Sequence, residues 1–257
     1  MRPSAVPAGR REAGMKVVAI IQARMGSTRL PGKVLEDLAG QSMLARVVGR
    51  ARRARTLDKV LVATTNKSDD GAIVSECGRL GVPVFRGSED DVLDRYHGAA
   101  ISANAGIIVR ITSDCPLIDP EVVDRAVREH LVEGPDYTSN TLDRSYPRGL
   151  DLEVMDVGVL ERAWREASED YQRTHVTPYI YQHPEIFRLQ SLTHEVDESH
   201  HRWTVDTSED LELVRVLYRR LGDHETFTWR ELLDLFREDP GLLEINRGVL
   251  QKELREG

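Results

Sequence analysis

Cysteine is scarce in this chain, with two in 257 residues, Cys77 and Cys115. Two cysteines argue against a disulfide framework, and without Cys-x-x-Cys spacing a cysteine-ligated zinc site is unsupported. His194, His200 and His201 lack a helical i,i+4 pair and read as a polar loop. No apolar run approaches the ~20 residues that cross a bilayer, so no membrane partner is expected. A basic excess is also missing. There are 43 acidic residues against 35 Lys and Arg, a net charge of −8, and nucleic-acid binders normally carry a basic footprint. The opening "MRPSAVPAGRREAG" has no apolar core and is not a secretory signal. It reads as a flexible leader over residues 1–14, ahead of one domain over 15–257. A cytoplasmic enzyme or binding protein is expected.

What is present is an alternation of apolar runs and amphipathic segments. "KVVAII", "KVLVATT", "VPVFRG" and "GIIVRITSD" read as strands. "SMLARVVGRARRA", a stretch from about Asp69 to Leu80, and "EDDVLDRYHGAAISAN" read as the helices between them. In "DPEVVDRAVREHLVEG", Asp119 is a predicted N-cap, Pro120 the first helical residue and Gly134 the stop. This order predicts an α/β fold, a mostly parallel sheet with helices on both faces. The second half is less regular. "DLEVMD" and "FRLQSLTHE" read as strands of an antiparallel extension, and a small lid or dimerisation subregion is expected over about 137–200. Two late helices carry capping boxes, Thr207 with Asp210 and Thr228 with Glu231. The arginines of "RVVGRARRAR" surround an apolar stripe of Leu44, Val47 and Val48, and read as a solvated helix face.

In parallel sheets, ligands bind outside the carboxyl ends of the strands. "QARMGSTRLPGK" stands at the end of the first strand and concentrates Arg24, Arg29 and Lys33 with no acid among them. It is not a Walker A loop. Gly26 and Gly32 are separated by five residues, Val34 replaces the magnesium-binding hydroxyl, and Pro31 removes an amide. It also lacks Gly-x-Gly-x-x-Gly. Gly26 lets the backbone approach an anion, Ser27 and Thr28 add hydroxyl donors, and arginine grips phosphate bidentately. The loop is therefore expected to hold phosphate.

This stretch, together with "RITSDCPLIDP", "YPRGLDLEV", "HVTPYIY" and "RWTVDTSEDLELV", resembles the cytidylyltransferases that make CMP-activated sugars. These are the CMP-KDO and acylneuraminate enzymes and their spore coat polysaccharide biosynthesis protein F-like relatives. The resemblance spans about Met15 to Leu221. It implies a nucleotide-diphospho-sugar transferase fold, a homodimer, CTP with Mg²⁺, and a sugar or sugar-acid acceptor. On that basis Arg24, Arg29 and Lys33 are expected at the reacting phosphates. Gln22, Ala23, Gly26, Ser27, Thr28, Arg95 and Ser113 are expected around the nucleotide, and Thr64 and Asn66 near its base.

A triphosphate site needs a hard cation, and Mg²⁺ takes one or two carboxylates and keeps several waters. Asp114 and Asp206 each follow an apolar strand, and both match metal-ligand turns of the family. Arg110, Arg148, Asp151, Glu153, Arg173 and His175 are the expected acceptor residues, with Asp151 and Glu153 on one face by strand alternation. The chain departs from its relatives at Gln172-Arg173-Thr174-His175, where Glu-Arg-Glu-His is common. It also keeps only Asp94-Arg95 of a Ser-Gly-Thr-Asp-Arg run found in the KDO enzymes. The predicted chemistry is in-line attack of an acceptor oxygen on the α-phosphorus of CTP. The rivals are a glycosyltransferase, for which the strict Asp-x-Asp is absent, and a non-catalytic nucleotide sensor.

Overall fold

The computed structural model describes residues 14–222 and 226–252. All but the last residue of the expected leader lies outside them. Strand β1 (Val17–Gln22) leads through the basic loop and a 3-10 turn (Lys33–Leu35) into a small hairpin, β2 (Asp37–Leu38) and β3 (Gln41–Ser42). There follow α1 (Met43–Arg52), β4 (Lys59–Thr65), α2 (Gly71–Leu80), β5 (Val84–Gly87), α3 (Val92–Ala103), β6 (Ile107–Thr112) and α4 (Pro120–Glu133). The later elements are β7 (Tyr137–Ser139), β8 (Glu153–Asp156), α5 (Val157–Glu166), α6 (Asp170–His175), α7 (Pro178–Tyr181), β9 (Leu189–Ser191), α8 (Ser208–Leu221) and α9 (Trp229–Glu238).

Seven strands form one sheet in the order β5-β4-β1-β6-β8-β7-β9. β1, β4, β5 and β6 run parallel, β8 is antiparallel to both its neighbours, and β9 is parallel to β7. The extension is thus mixed. Strand alternation divides the core. Val17, Ala19 and Ile21 pack with α1, α2, α4, α8 and α9, whereas Val18 and Ile20 pack with α3, α5 and α7. Both faces are covered, which is why these strands read as continuous apolar runs. The strand order reverses between β1 and β6, and Gln22 pairs with Thr112 where both strands end. The loops after β1 and β6 therefore lie side by side at the switch point where such sheets take ligands.

The predicted caps are present. Asp119 accepts from Glu121 N and Val122 N, and the Thr207–Asp210 and Thr228–Glu231 boxes are both formed. Helices α5, α6 and α7 are additions that the sequence reading did not contain.

The α1 arginines require a correction. Arg46 and Arg50 are buried, not solvated. Arg46 donates to Leu38 O and Ala39 O of the hairpin and lies 4.5 Å over the Tyr218 ring. Arg50 donates to Ile118 O and Phe227 O and sits 3.7 Å from the Asp119 carboxylate. Backbone carbonyls of the hairpin and of the segments around residues 118 and 227 supply the acceptors, so these buried charges are paired with polar groups inside the fold. Arg46→Ala is expected to lower unfolding free energy by about 1–3 kcal/mol, since it strands buried carbonyl oxygens. Urea denaturation measures this, and an unchanged midpoint would contradict the assignment.

Candidate active site

The basic loop is tied down at its base. Asp70, buried at the start of α2, accepts from Met25 N at 2.8 Å and Thr65 N at 3.2 Å, and also from the Thr65 hydroxyl. Ser27 Oγ accepts from Leu30 N, and Met25 O accepts from Ser27 N and Gly32 N. Gly32 takes a left-handed φ of 74°, as the entry to the Lys33 turn requires. Asp70 was not among the expected site residues, yet it sets the loop's position. Asp70→Ala leaves two backbone N–H groups unsatisfied and is expected to cost about 1–3 kcal/mol of stability. Thermal unfolding checks this, with an unaltered Tm as the contrary result.

Two adjoining cavities open beside this loop. The first, of about 310 Å³, is lined by Gln22, Ala23, Arg24, Ser27 and Thr28 from the β1 end, and by Lys33, Arg95 and Ser113. The second, of about 450 Å³, is lined by Cys115, Arg148, Asp151, His175, Thr204 and Gln251. Arg29, Thr112, Asp114, Asp206 and Lys252 line both. Those five form the seam where a group in one cavity meets a group in the other. A larger cavity of about 650 Å³ lies at the start of α4, but its Arg125 and Arg230 are already paired with Glu129 and Glu121.

At the seam the Lys33 ammonium lies 2.9 Å from Asp206 Oδ1, 3.3 Å from Asp114 Oδ2 and 2.6 Å from Val205 O. Arg29 Nη2 and Arg202 Nη2 are each 2.9 Å from Asp206 Oδ2. Arg202 is held in turn by fully buried Asp210. Thr112 Oγ1 donates to Asp114 Oδ1. Cation and carboxylate thus share one cleft.

Burial opposes the charge on Asp206, but Lys33, Arg29 and Arg202 together hold its carboxyl below the ordinary 3.8. Burial likewise opposes the charge on Lys33, and Asp114 and Asp206 outweigh it, raising the ammonium above 10.5. The lowered acid contributes stability above pH 3.8 that is lost as pH falls through its folded value. The raised lysine contributes below pH 10.5 and is lost as pH rises through its folded value. Between those limits Asp206 and Lys33 both keep their charges. Burial also pushes the Arg95 pKa down, with the like charge of Arg24 adding to the effect. Two guanidinium groups repelling across a cavity are an arrangement that a polyanion relieves.

The oxygens around Lys33 Nζ answer whether Mg²⁺ fits. Two carboxylates and a carbonyl converge on one cation, and hard oxygen donors of this kind suit Mg²⁺. Asp114 and Asp206 would hold the ion, with the ammonium marking the position.

Several expected residues lie elsewhere. Thr64 is fully buried in β4, Asn66 N closes onto Gly87 O, and neither lines these two cavities, because β4 stands on the far side of β1 from the seam. Gly26 belongs to the loop without lining the cavity. Arg110 and Glu153 are cross-strand partners joined as an ion pair, and Tyr137 and Thr177 also donate to Glu153. This buried network sits behind the cavities, and Arg110 reaches forward to donate to Gln22 Oε1 at 3.2 Å. Arg173 is engaged by Asp91, Trp164 O and Ala167 O, tying α6 to α3 and α5. Of the expected acceptor residues, Arg148, Asp151 and His175 reach the second cavity. Gly149 brings the Arg148 turn against the Trp203–Thr204 backbone, where an added Cβ would lie 2.6 Å from Thr204 N.

The histidine trio divides. His201 is buried against Trp203 and Phe236, and burial pushes its pKa down to about 4, so it is neutral near pH 7. His200 and Glu198 bring their ligand-type atoms within 4.8 Å of those of His201.

A cytidylyltransferase family matches residues 18–236. This chain belongs to the cytidylyltransferase family. It is therefore a nucleotidyltransferase, and two relatives match most of its length. An uncharacterized protein from Methanocaldococcus jannaschii is 41% identical over 94% of this chain and 99% of its own. Spore coat polysaccharide biosynthesis protein SpsF of Bacillus subtilis is 37% identical over 87% of this chain and 95% of its own. A cytidylyltransferase structure from Leptospira borgpetersenii superposes with a TM-score of 0.86 at 32% identity, covering 93% of this chain and all of the other. No helix among the described residues of this cytidylyltransferase is long and apolar enough to cross a membrane.

Proposed function

We propose that this cytidylyltransferase transfers CMP from CTP to a sugar or sugar-acid acceptor, releases pyrophosphate, and serves the synthesis of a cell-surface polysaccharide or glycoconjugate. The observation that carries this reading is the seam. Two carboxylates and two loop cations converge where a basic cavity adjoins a second cavity that holds Arg148 and His175. The triphosphate lies along the β1 loop, against Arg24, Arg29, Lys33 and Arg95. The acceptor lies in the second cavity, where Arg148 and His175 suit an anionic group and Asp151, gripped by Arg144, suits hydroxyls. Its nucleophilic oxygen reaches the α-phosphorus at the seam, in line with departing pyrophosphate.

The protein acts by position and charge, as phosphoryl transfer requires. Arg29 and Lys33 donate to phosphate oxygens as charge builds, and Asp70 keeps their loop in place. Asp114 and Asp206 would hold Mg²⁺, which would supply charge neutralisation on the reacting phosphates. The same reading assigns a homodimer, which sedimentation equilibrium measures.

The experiment is pyrophosphate release from each nucleoside triphosphate with Mg²⁺, over a panel of sugar acids, sugar phosphates and phosphonates. Release from CTP with one acceptor class, and formation of the CMP conjugate, is the expected result. Tight CTP binding with no turnover on any acceptor would favour a sensor. Sugar transfer from a nucleotide-activated sugar would favour a glycosyltransferase.

A further inference from the structure

Of the five residues that line both cavities, four have roles above: Arg29, Thr112, Asp114 and Asp206. The fifth is Lys252, from a segment that follows the last helix and enters none of the motifs. Its place there is built. Arg29 Nη1 donates to Leu250 O at 3.4 Å, and Arg202 Nη1 donates to Gln251 Oε1 at 2.7 Å. These are the two arginines that grip Asp206, so the chain over 250–252 is anchored on the same clamp as the carboxylate. Gln251 itself lines the second cavity. Among the described residues, Lys252 has no carboxylate partner, unlike Lys33 with two.

We infer that Lys252 is a substrate-binding residue of the reaction site, a cation carried over the seam by the chain at 250–252 and directed at the polyphosphate of the nucleotide. The inference rests on the proposed nucleotidyl transfer and deepens it. A triphosphate brings more negative charge than the β1 loop alone meets once Lys33 is held by Asp114 and Asp206. An ammonium group without an acidic partner, at the junction of the cavities, lies where that charge is concentrated during transfer. Lysine suits this role because its flexible stem can follow a phosphate as the bond breaks.

The test is calorimetric titration of the full chain with CTP, CMP and inorganic pyrophosphate in the presence of Mg²⁺. Lys252→Ala is expected to weaken CTP and pyrophosphate binding about tenfold, the loss of one charge-assisted contact. CMP affinity should move much less, Lys252→Arg should recover most of the loss, and the salt dependence of CTP binding should flatten in the alanine variant. Gln251→Ala, which frees the segment from Arg202, should fall between wild type and Lys252→Ala. A merely structural role would weaken all three ligands alike without rescue by arginine. If the wild-type protein binds no CTP, the proposed function fails. If it binds CTP and Lys252→Ala binds equally well, only the role of Lys252 fails.

Discussion

Lys33→Ala is expected to lower kcat/KM by a factor of about 30 to 1,000, or about 2–4 kcal/mol of transition-state stabilisation. Arg29→Ala should fall in the same range. Lys33 stands at the end of a loop fixed by Asp70, so its ammonium is kept at the seam beside the reacting phosphates. The structure adds a consequence that separates this from simple loss of packing. The ammonium sits among the Asp114, Asp206 and Val205 oxygens that fit a divalent ion. With it removed, Asp114 loses its ammonium partner, Arg29 and Arg202 remain only on Asp206 Oδ2, and the opened position between the two carboxylates should take up Mg²⁺ or Mn²⁺ more tightly. Turnover should fall while the metal midpoint, followed by Mn²⁺ electron paramagnetic resonance, moves to lower concentration. Wild-type turnover in both Lys33→Ala and Arg29→Ala would refute the loop's assignment.

Removal of the carboxylates should cost more. Asp114→Ala is expected to reduce turnover on the order of 1,000-fold, because charge neutralisation by a bound metal is worth several kcal/mol. It should also raise the Mn²⁺ midpoint, in the direction opposite to Lys33→Ala. For Asp206, asparagine is the better replacement, since alanine would leave Lys33, Arg29 and Arg202 converging on a void. Asp206→Asn keeps an acceptor for those donors, so it should lose metal binding with a smaller change in Tm than Asp206→Ala. Unaltered Mn²⁺ binding in both Asp114→Ala and Asp206→Asn would remove the metal from these two residues.

The parallel half of the sheet was legible because its strands are buried on both faces. "VVAII", "VLVA" and "IIV" are therefore uninterrupted apolar runs, and the helices between them carry caps and stops. The loop and the two aspartates were legible for a related reason, since charged residues directly after such strands lie at the ligand-binding edge. Other features depended on partners distant in sequence. Arg46 and Arg50 look like surface charges until carbonyls from the hairpin and from residues 118 and 227 close over them. Glu153 looked like an acceptor-facing acid because its strand parity was visible and its register was not. Register opposite Arg110 turns it into half of an internal ion pair. Helix α5 offers only Val159, Leu160 and Ala163 as a buried stripe, and its N-cap residue Asp156 makes no capping bond. Lys252 carries no local signal at all, because the contacts that position it belong to Arg29 and Arg202.

The most direct measurement is a crystal structure with a non-hydrolysable CTP analogue and Mg²⁺. The α-phosphate is expected at the seam between the two cavities, within hydrogen-bond reach of Arg29 and Lys33, with the metal on Asp114 and Asp206. A triphosphate seated instead in the arginine-lined cavity at the start of α4, with the seam left to solvent, would contradict the account.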